Sequence, residues 1–308
     1  MNTAALLAAG CVLREHEPLA RHTTFQLGGP CPILMDCATP GQLVTAITEL
    51  HRTGRDHVLI GGGSNLLVAD AGVPMPVLRY LTTQPLIQQA GDVLDVAAST
   101  LLDDLCAYAA GCGLAGIEAL NCIPGTLGGA IAGNAGAFGK QIGDVVESVT
   151  LLECDGRTRH ADRAELRFAY RSSSLHETGE IVLAARLHLQ SGDAGQLTQQ
   201  RAECIHIRTH KHPDWRTTPT AGSFFRNVAP TSAAGRRQAA GWFLEQAGTL
   251  AMRINGARPY EKHANIIIRD GPCSAQDVLD LSRQMAAAVA VKFGLQLERE
   301  VRLLGAFA

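Results

Sequence analysis

The chain has 308 residues, 46% of them hydrophobic and 18% charged, and carries a formal net charge of −2. That balance excludes general disorder, and it excludes a global attraction to nucleic acid or to an acidic membrane surface. At roughly 100–200 residues per domain the length predicts two or three compact units, and the composition is unusual in its few aromatics (5%) and its 32 glycines, about a tenth of the chain against a usual ~7%.

In chain order, Met1–Leu13 is a mildly apolar run closed by Arg14, Glu15 and Glu17. It lacks a basic leading segment and is too short to span a bilayer, so it predicts a small helix packed on the core. No other stretch approaches the ~20 apolar residues of a membrane-spanning helix, and the chain is expected to be soluble and cytoplasmic. Leu43, Val44, Ile47 and Leu50 predict an amphipathic helix over 41–53. His57–Ile60 reads as a short buried strand that runs straight into Gly61-Gly62-Gly63-Ser64-Asn65. Val93–Ala98 predicts a strand, followed by a helix with Leu101, Leu105 and Tyr108 on one face. A glycine-dense segment without a clear period occupies 111–143, and strands are predicted at Val145–Leu152 and Ile181–Leu189.

A helix near 196–210 gives way to a Pro/Thr-rich stretch around Pro213 and Pro219 that reads as a boundary. A short helix at Gly241–Ala247 ends at Gly248, and a longer one is opened by the Ser274-x-x-Asp277 capping pattern and closed by Gly294. A terminal strand is predicted over Gln296–Leu303. Strands and helices mix without strict βαβ alternation, which predicts an α+β fold.

The nine cysteines, Cys11, Cys31, Cys37, Cys106, Cys112, Cys122, Cys154, Cys204 and Cys273, include no CxxC pair. Their scatter fits thiols in a reducing compartment rather than a disulfide framework or a zinc ribbon. His206, His210 and His212 include an i, i+4 pair, but no cysteine or carboxylate nearby completes a ligand set, so no metal is expected.

The glycines cluster, and the clusters differ in meaning. Gly111-Cys-Gly113-Leu-Ala-Gly116 matches GxGxxG but ends a predicted helix instead of opening one, so it reads as a helix C-cap and turn. Gly61–Asn65 follows a buried strand and is too dense for an ordinary turn. Consecutive glycines let backbone N–H groups approach an anion, with Ser64 and Asn65 adding side-chain hydrogen bonds. Ile123-Pro-Gly-Thr-Leu-Gly-Gly-Ala-Ile-Ala-Gly-Asn-Ala-Gly136 combines small residues, a proline turn and an apolar surface with few side chains in the way. Together these two segments suit an elongated ligand with a phosphate bridge and a flat ring; taken singly, each also reads as a tight turn.

Taken with His22-Thr-Thr-Phe-Gln-Leu-Gly-Gly-Pro30, these segments resemble the flavin-binding half of the UDP-N-acetylenolpyruvoylglucosamine reductase family. The resemblance continues in order through Phe168-Ala-Tyr-Arg-Ser172, Ala221-Gly-Ser-Phe-Phe-Arg-Asn227, Glu261-Lys-His-Ala-Asn265 and Leu297-Glu-Arg-Glu-Val301. It implies an FAD-binding region of the vanillyl-alcohol-oxidase type in two subdomains, residues 1–80 and 81–205. A smaller α+β substrate-binding domain over 206–308 would follow. It further implies reduction of an enolpyruvyl ether with FAD and NADPH, a UDP-sugar as substrate and a ping-pong order at one flavin face. A monomer is expected but not fixed by the sequence, and the charge balance and apolar runs predict neither nucleic-acid nor membrane partners.

The resemblance assigns FAD contacts to Gly61, Gly62, Gly63, Ser64, Asn65, Leu66, Ile123, Pro124, Gly125, Thr126, Gly128, Gly129, Ala132, Asn134 and Gly136. It assigns the catalytic roles to Arg171, Ser223 and Glu300, and substrate contacts to Tyr170, Arg226, Asn227, Lys262, His263 and Asn265. A guanidinium suits the grip on a substrate carboxylate, because it is bidentate and keeps its charge. Ser223 is matched to the proton donor, and Glu300 to the residue that orients the substrate and helps stabilise the intermediate. Read without the resemblance, Arg171 is a surface ion-pair partner, Ser223 a turn or N-cap serine, and Glu300 a strand carboxylate sharing a face with Glu298. The segment 201–237 carries Arg201, Arg208, Lys211, Arg216, Arg226, Arg236 and Arg237 against Glu203 and Asp214. That excess of positive charge suits an anionic substrate.

Departures from the family pattern are Ser172 in place of an aspartate, Val228 in place of a proline, and Pro74-Met-Pro76 in place of a glycine turn. The chain also lacks the insertion that gives longer members a lid tyrosine, and so resembles the shorter subclass. Two rival functions remain at this point: an oxidase or dehydrogenase on the same flavin fold, and a flavin- or nucleotide-binding protein without catalysis.

Overall fold

The computed structural model describes residues 1–230 and 237–308, and these divide into two compact units. The first holds residues 1–15, 32–62 and 75–208; the second holds 16–31, 63–74 and 209–308. Two N-terminal segments therefore cluster with the C-terminal hundred residues, which no local signal in the sequence announces.

The first unit is built on two sheets. In one, the strands order as Val12–Pro18, Pro30–Cys37, Val77–Tyr80 and Val58–Ile60, with the last three running parallel. The amphipathic helix is Pro40–Arg52, opened by a Thr39–Gln42 capping box, and its Leu43, Ile47 and Leu50 are fully buried. Val44, which the pattern also placed inward, is partly buried against the same core. The second sheet is antiparallel throughout, in the order Thr158–Asp162, Val146–Leu152, Ile181–His188, Val93–Ala97 and Ile87–Ala90. Along Ile181–His188 the alternate residues Leu183, Ala185 and Leu187 face the core as the pattern predicts. The helix Leu102–Gly111 runs into Gly113, whose φ of +70° is the left-handed turn expected of a glycine ending a helix rather than binding a dinucleotide.

The second unit has a three-stranded antiparallel sheet, Thr220–Ser223, His263–Arg269 and Ala257–Tyr260. Against it lie the helices Ala240–Gln246 and Ala275–Phe293, the longer one opened by the predicted Ser274–Asp277 capping box and closed by Gly294 at φ +67°. Phe25, Leu67, Phe224, Phe225, Phe243, Ile267, Leu281 and Met285 fill its core. The terminal strand is shorter than predicted. Only Arg302–Leu304 is strand, paired in parallel with Leu66–Val68, because the partner is itself three residues long. Upstream, residues 298–300 meet 224–226 through single contacts instead of a ladder.

All nine cysteines are free, with Cys11, Cys31, Cys37 and Cys106 buried and the Cys37 thiol pushed well up in pKa, chiefly by burial. No helix among the described residues is long and apolar enough to cross a membrane.

Candidate active site

The strand Val58–Ile60 ends at Gly61, and the reason for glycine there is a close approach. A Cβ on Gly61 would lie 2.7 Å from Thr126 Oγ1, inside van der Waals contact. The proline turn it approaches is pinned from behind. Leu102 N donates to Gly125 O at 3.0 Å, Leu127 N to Thr100 O at 2.9 Å and Gly128 N to Ala98 O at 2.9 Å. Thr126 then caps the short helix Leu127–Ala132, its Oγ1 accepting from Gly129 N at 3.3 Å. Beyond Gly62 the loop turns at Gly63, where φ is +62° and a Cβ would overlap the His22 carbonyl oxygen. A side chain at Gly63 is therefore excluded twice, by backbone conformation and by space.

These residues fit a flavin dinucleotide on one observation. The backbone N–H groups of Gly62 and Gly63 donate to nothing among the described residues, which leaves adjacent donors for a phosphate oxygen. Asn134 is different in kind. It is buried, its Nδ2 donates to Ala169 O and to Gln141 Oε1 at 2.9 Å each, and its Oδ1 accepts from Gly143 N at 3.1 Å. Its amide is consumed in bracing the loop ahead of Gly136.

Gly136 in turn holds Arg171, whose Nη1 donates to Gly136 O at 3.0 Å while the guanidinium lies 5.4 Å from the Tyr170 ring centroid. Arg171 has φ +54°, a left-handed backbone that a residue with a Cβ adopts at a cost. Arg171 and Tyr170 belong to the first unit.

Ser223 and Glu300 both belong to the second unit. Glu300 N donates to Phe224 O at 2.8 Å, next to Ser223 at the end of the strand Thr220–Ser223. Glu298 lies across from Arg226 in the same pairing, its carbonyl accepting from Arg226 N at 2.8 Å. Its carboxylate is exposed and pairs with Arg226 at 3.7 Å. Asn265 is buried and holds Phe225 from both sides, accepting from Phe225 N at 2.9 Å and donating to Phe225 O at 2.8 Å. Asn227 similarly accepts from Ala240 N at 3.2 Å, at the start of the helix Ala240–Gln246. Lys262 is exposed in the turn between two strands.

His263 packs against His212 with ring centroids 5.3 Å apart, and its Nδ1 is buried with no hydrogen-bond partner among the described residues. Burial holds its pKa below the ordinary 6.5, and burial does the same at His57 in the first unit. Both rings are thus harder to protonate in the folded chain than in the unfolded one. Stability should be complete above the ordinary value and fall as pH drops below it, because the unfolded chain then binds more protons. Thermal unfolding followed from about pH 8 to pH 5 should show that slope, and His263→Gln should flatten it.

The basic run at 201–237 is less bare than its sequence suggests. Arg201 pairs with Asp103 at 3.0 Å, Arg216 with Asp214 at 3.4 Å and Arg226 with Glu298, while Arg208 lies 5.7 Å from the Phe138 ring centroid. Arg236 falls outside the described residues. Thr24 and Thr220, absent from the residues expected at the site, are the anchors of the Ser223 strand; Thr24 was visible only as part of the His22–Pro30 segment. Among the described residues no three His, Cys, Asp or Glu side chains gather as a metal centre.

Comparison with known proteins bears on both units. An FAD-binding domain model matches residues 32–162, and the model of the UDP-N-acetylenolpyruvoylglucosamine reductase C-terminal domain matches 213–304. The UDP-N-acetylenolpyruvoylglucosamine reductase of Moorella thermoacetica is 36% identical over 291 residues, covering 94% of this chain and 92% of that protein. Its counterpart in Clostridioides difficile is 32% identical over 301 residues, covering 95% and 93%. The crystal structure of the Thermus caldophilus enzyme matches with a TM-score of 0.79 at 32% identity, covering 96% of this chain and all of that one. With its glycine loops, its α+β fold and these matches along nearly its whole length, the chain belongs to the UDP-N-acetylenolpyruvoylglucosamine reductase family of FAD-dependent oxidoreductases.

Proposed function

We propose that this protein reduces the enolpyruvyl ether of UDP-N-acetylenolpyruvoylglucosamine to UDP-N-acetylmuramate, with NADPH as electron donor and the two substrates taking turns at one flavin face. The observation that carries the reading is the bond from Glu300 N to Phe224 O at 2.8 Å. It joins two sequence segments of the expected catalytic machinery within the stretch matched by the reductase C-terminal domain model. Bound FAD, which the Gly61–Gly62 loop and the Gly125–Gly129 turn would hold, would supply the hydride-transfer chemistry between the nicotinamide and the enolpyruvyl double bond.

The remaining work falls to side chains. Arg171 holds the substrate carboxylate, on which negative charge grows as the double bond is reduced; a fixed guanidinium opposes that growth without reorganising. Ser223 Oγ gives a proton to the carbon bearing the ether oxygen and the carboxylate, and is reprotonated from solvent. A serine is a weak acid in water, so the transfer depends on its position within hydrogen-bond reach of that carbon. Glu300 orients the substrate. Tyr170, Arg226, Lys262 and His263 contact the sugar nucleotide, whereas Asn227 and Asn265 support it by bracing backbone. In this reading residues 1–80 and 81–205 serve the cofactor and 206–308 the substrate. The nine free thiols and the choice of NADPH and a sugar nucleotide support a cytoplasmic site of action.

The test is anaerobic. NADPH should bleach the flavin's visible absorption, and the enolpyruvyl sugar should restore it in a single turnover. A bleached spectrum that oxygen restores and the sugar does not would instead establish an oxidase.

A further inference from the structure

Thr24 is buried in the second unit, and all of its polar groups are engaged. Its Oγ1 donates to Thr220 O at 2.7 Å and lies 3.5 Å from Ser64 O; its N–H donates to Gly63 O at 3.2 Å; its carbonyl accepts from Thr220 N at 3.2 Å. One residue thus ties the glycine loop at Gly63–Ser64 to the first residue of the strand that carries Ser223. The loop is tied on its other side as well. Asn65 Nδ2 donates to Glu300 O at 3.2 Å and Asn65 O accepts from Arg302 N at 3.0 Å, while Glu300 N returns to Phe224 O. The bonds close a ring through Gly63–Asn65, Glu300, Phe224, Ser223, Thr220 and Thr24.

The strand needs this ring, because its own ladder is broken. The pairing of Thr220–Ser223 with His263–Arg269 shifts register between Thr220 and Ser223, and Gly222 between them has φ +76° with open space where a Cβ would be. A bulge with a glycine leaves the direction of the next side chain to its anchors. Downstream, Asn265 and Glu300 hold Phe225 and Phe224. Upstream the anchor is Thr24, reinforced where Thr220 Oγ1 donates to Ile267 O at 2.7 Å.

We propose that Thr24 is a positioning residue for proton transfer, one that fixes Ser223 through Thr220 and links its placement to the loop that receives the cofactor. The inference rests on the reading of Ser223 as proton donor. Thr24→Val keeps the shape and removes the hydroxyl. It should leave reduction of the flavin by NADPH within about twofold of the parent, and slow reoxidation by the enolpyruvyl sugar about tenfold, the size of one lost positioning hydrogen bond.

The KM for the sugar should change little while kcat falls. The solvent deuterium isotope effect on reoxidation should rise as the transfer becomes limiting, and Thr24→Ser should restore the parent values. FAD affinity, measured by fluorescence titration of the apoprotein, should stay within a few-fold; loss of affinity with both half-reactions slowed alike would overturn the proposal in favour of a merely structural role. Should the valine variant not fold, Thr24→Ala carries the same expectations. Ser223→Ala in parallel separates the two ideas. If it leaves reoxidation intact, the proton-donor reading fails; if it blocks reoxidation while Thr24→Val and Thr24→Ala match the parent, the positioning role alone fails.

Discussion

Ser223→Ala is expected to lower turnover by about 10²- to 10⁴-fold, the range of a positioned proton donor, while leaving reduction of the flavin by NADPH intact. The asymmetry follows from the chemistry. Accepting a hydride from a nicotinamide asks nothing of Ser223, whereas saturating the enolpyruvyl carbon requires a proton there. The substitution removes one oxygen from a half-buried position, and the backbone around it is held by Phe224 N to Asn265 O at 2.7 Å and by the Asn265 clamp on Phe225. The melting temperature should therefore stay near that of the parent. Anaerobic stopped-flow separates the half-reactions; loss of both would show that Ser223 supports flavin binding and not proton transfer.

Arg171→Ala should reduce kcat by about 10²- to 10³-fold, the usual loss when a fixed donor to a developing oxyanion is removed, and should raise the KM for the sugar as well. Both parameters move because the carboxylate is charged before the reaction and more strongly charged during it. Arg171→Lys keeps a charge but not the two-pronged geometry, so it should recover only part of the loss. The alanine variant also gives up the bond to Gly136 O, at a residue whose backbone is left-handed. A steady-state comparison of alanine and lysine variants, with melting curves alongside, distinguishes loss of a carboxylate grip from local unfolding. Equal activity of the two variants with the parent would remove Arg171 from the mechanism.

The parts of the fold that the sequence made legible are those whose physics is local. The capping box at Ser274–Asp277, the 3.6-residue period of Leu43, Ile47 and Leu50, and the helix-ending Gly113 and Gly294 act within a turn or two of chain, and the structure has them where the pattern put them. Several strands were harder. Ala264–Ile268 is buried on both faces, so it lacks alternation, although its run of three isoleucines was a usable signal. The terminal strand was overextended because a sequence pattern cannot show that its partner, Leu66–Val68, is only three residues long. At the site, Asn134 and Asn265 lie in the predicted segments, but their amides are spent inside the protein. Whether an amide faces a ligand or a backbone is decided by packing that the sequence does not display.

The sequence by itself determined where the glycine loops lie, which helices form and how they end, and the order of segments that marks the family. Each of those properties is set by conformational freedom or periodicity over a few residues. Only the tertiary structure decided that residues 16–31 and 63–74 join the C-terminal unit, that the backbone of Glu300 meets that of Phe224, and that Thr24 meets Thr220 across 196 positions. A hydrogen bond forms between groups close in space and carries no mark of their separation along the chain, so such partnerships become visible only once the chain has folded.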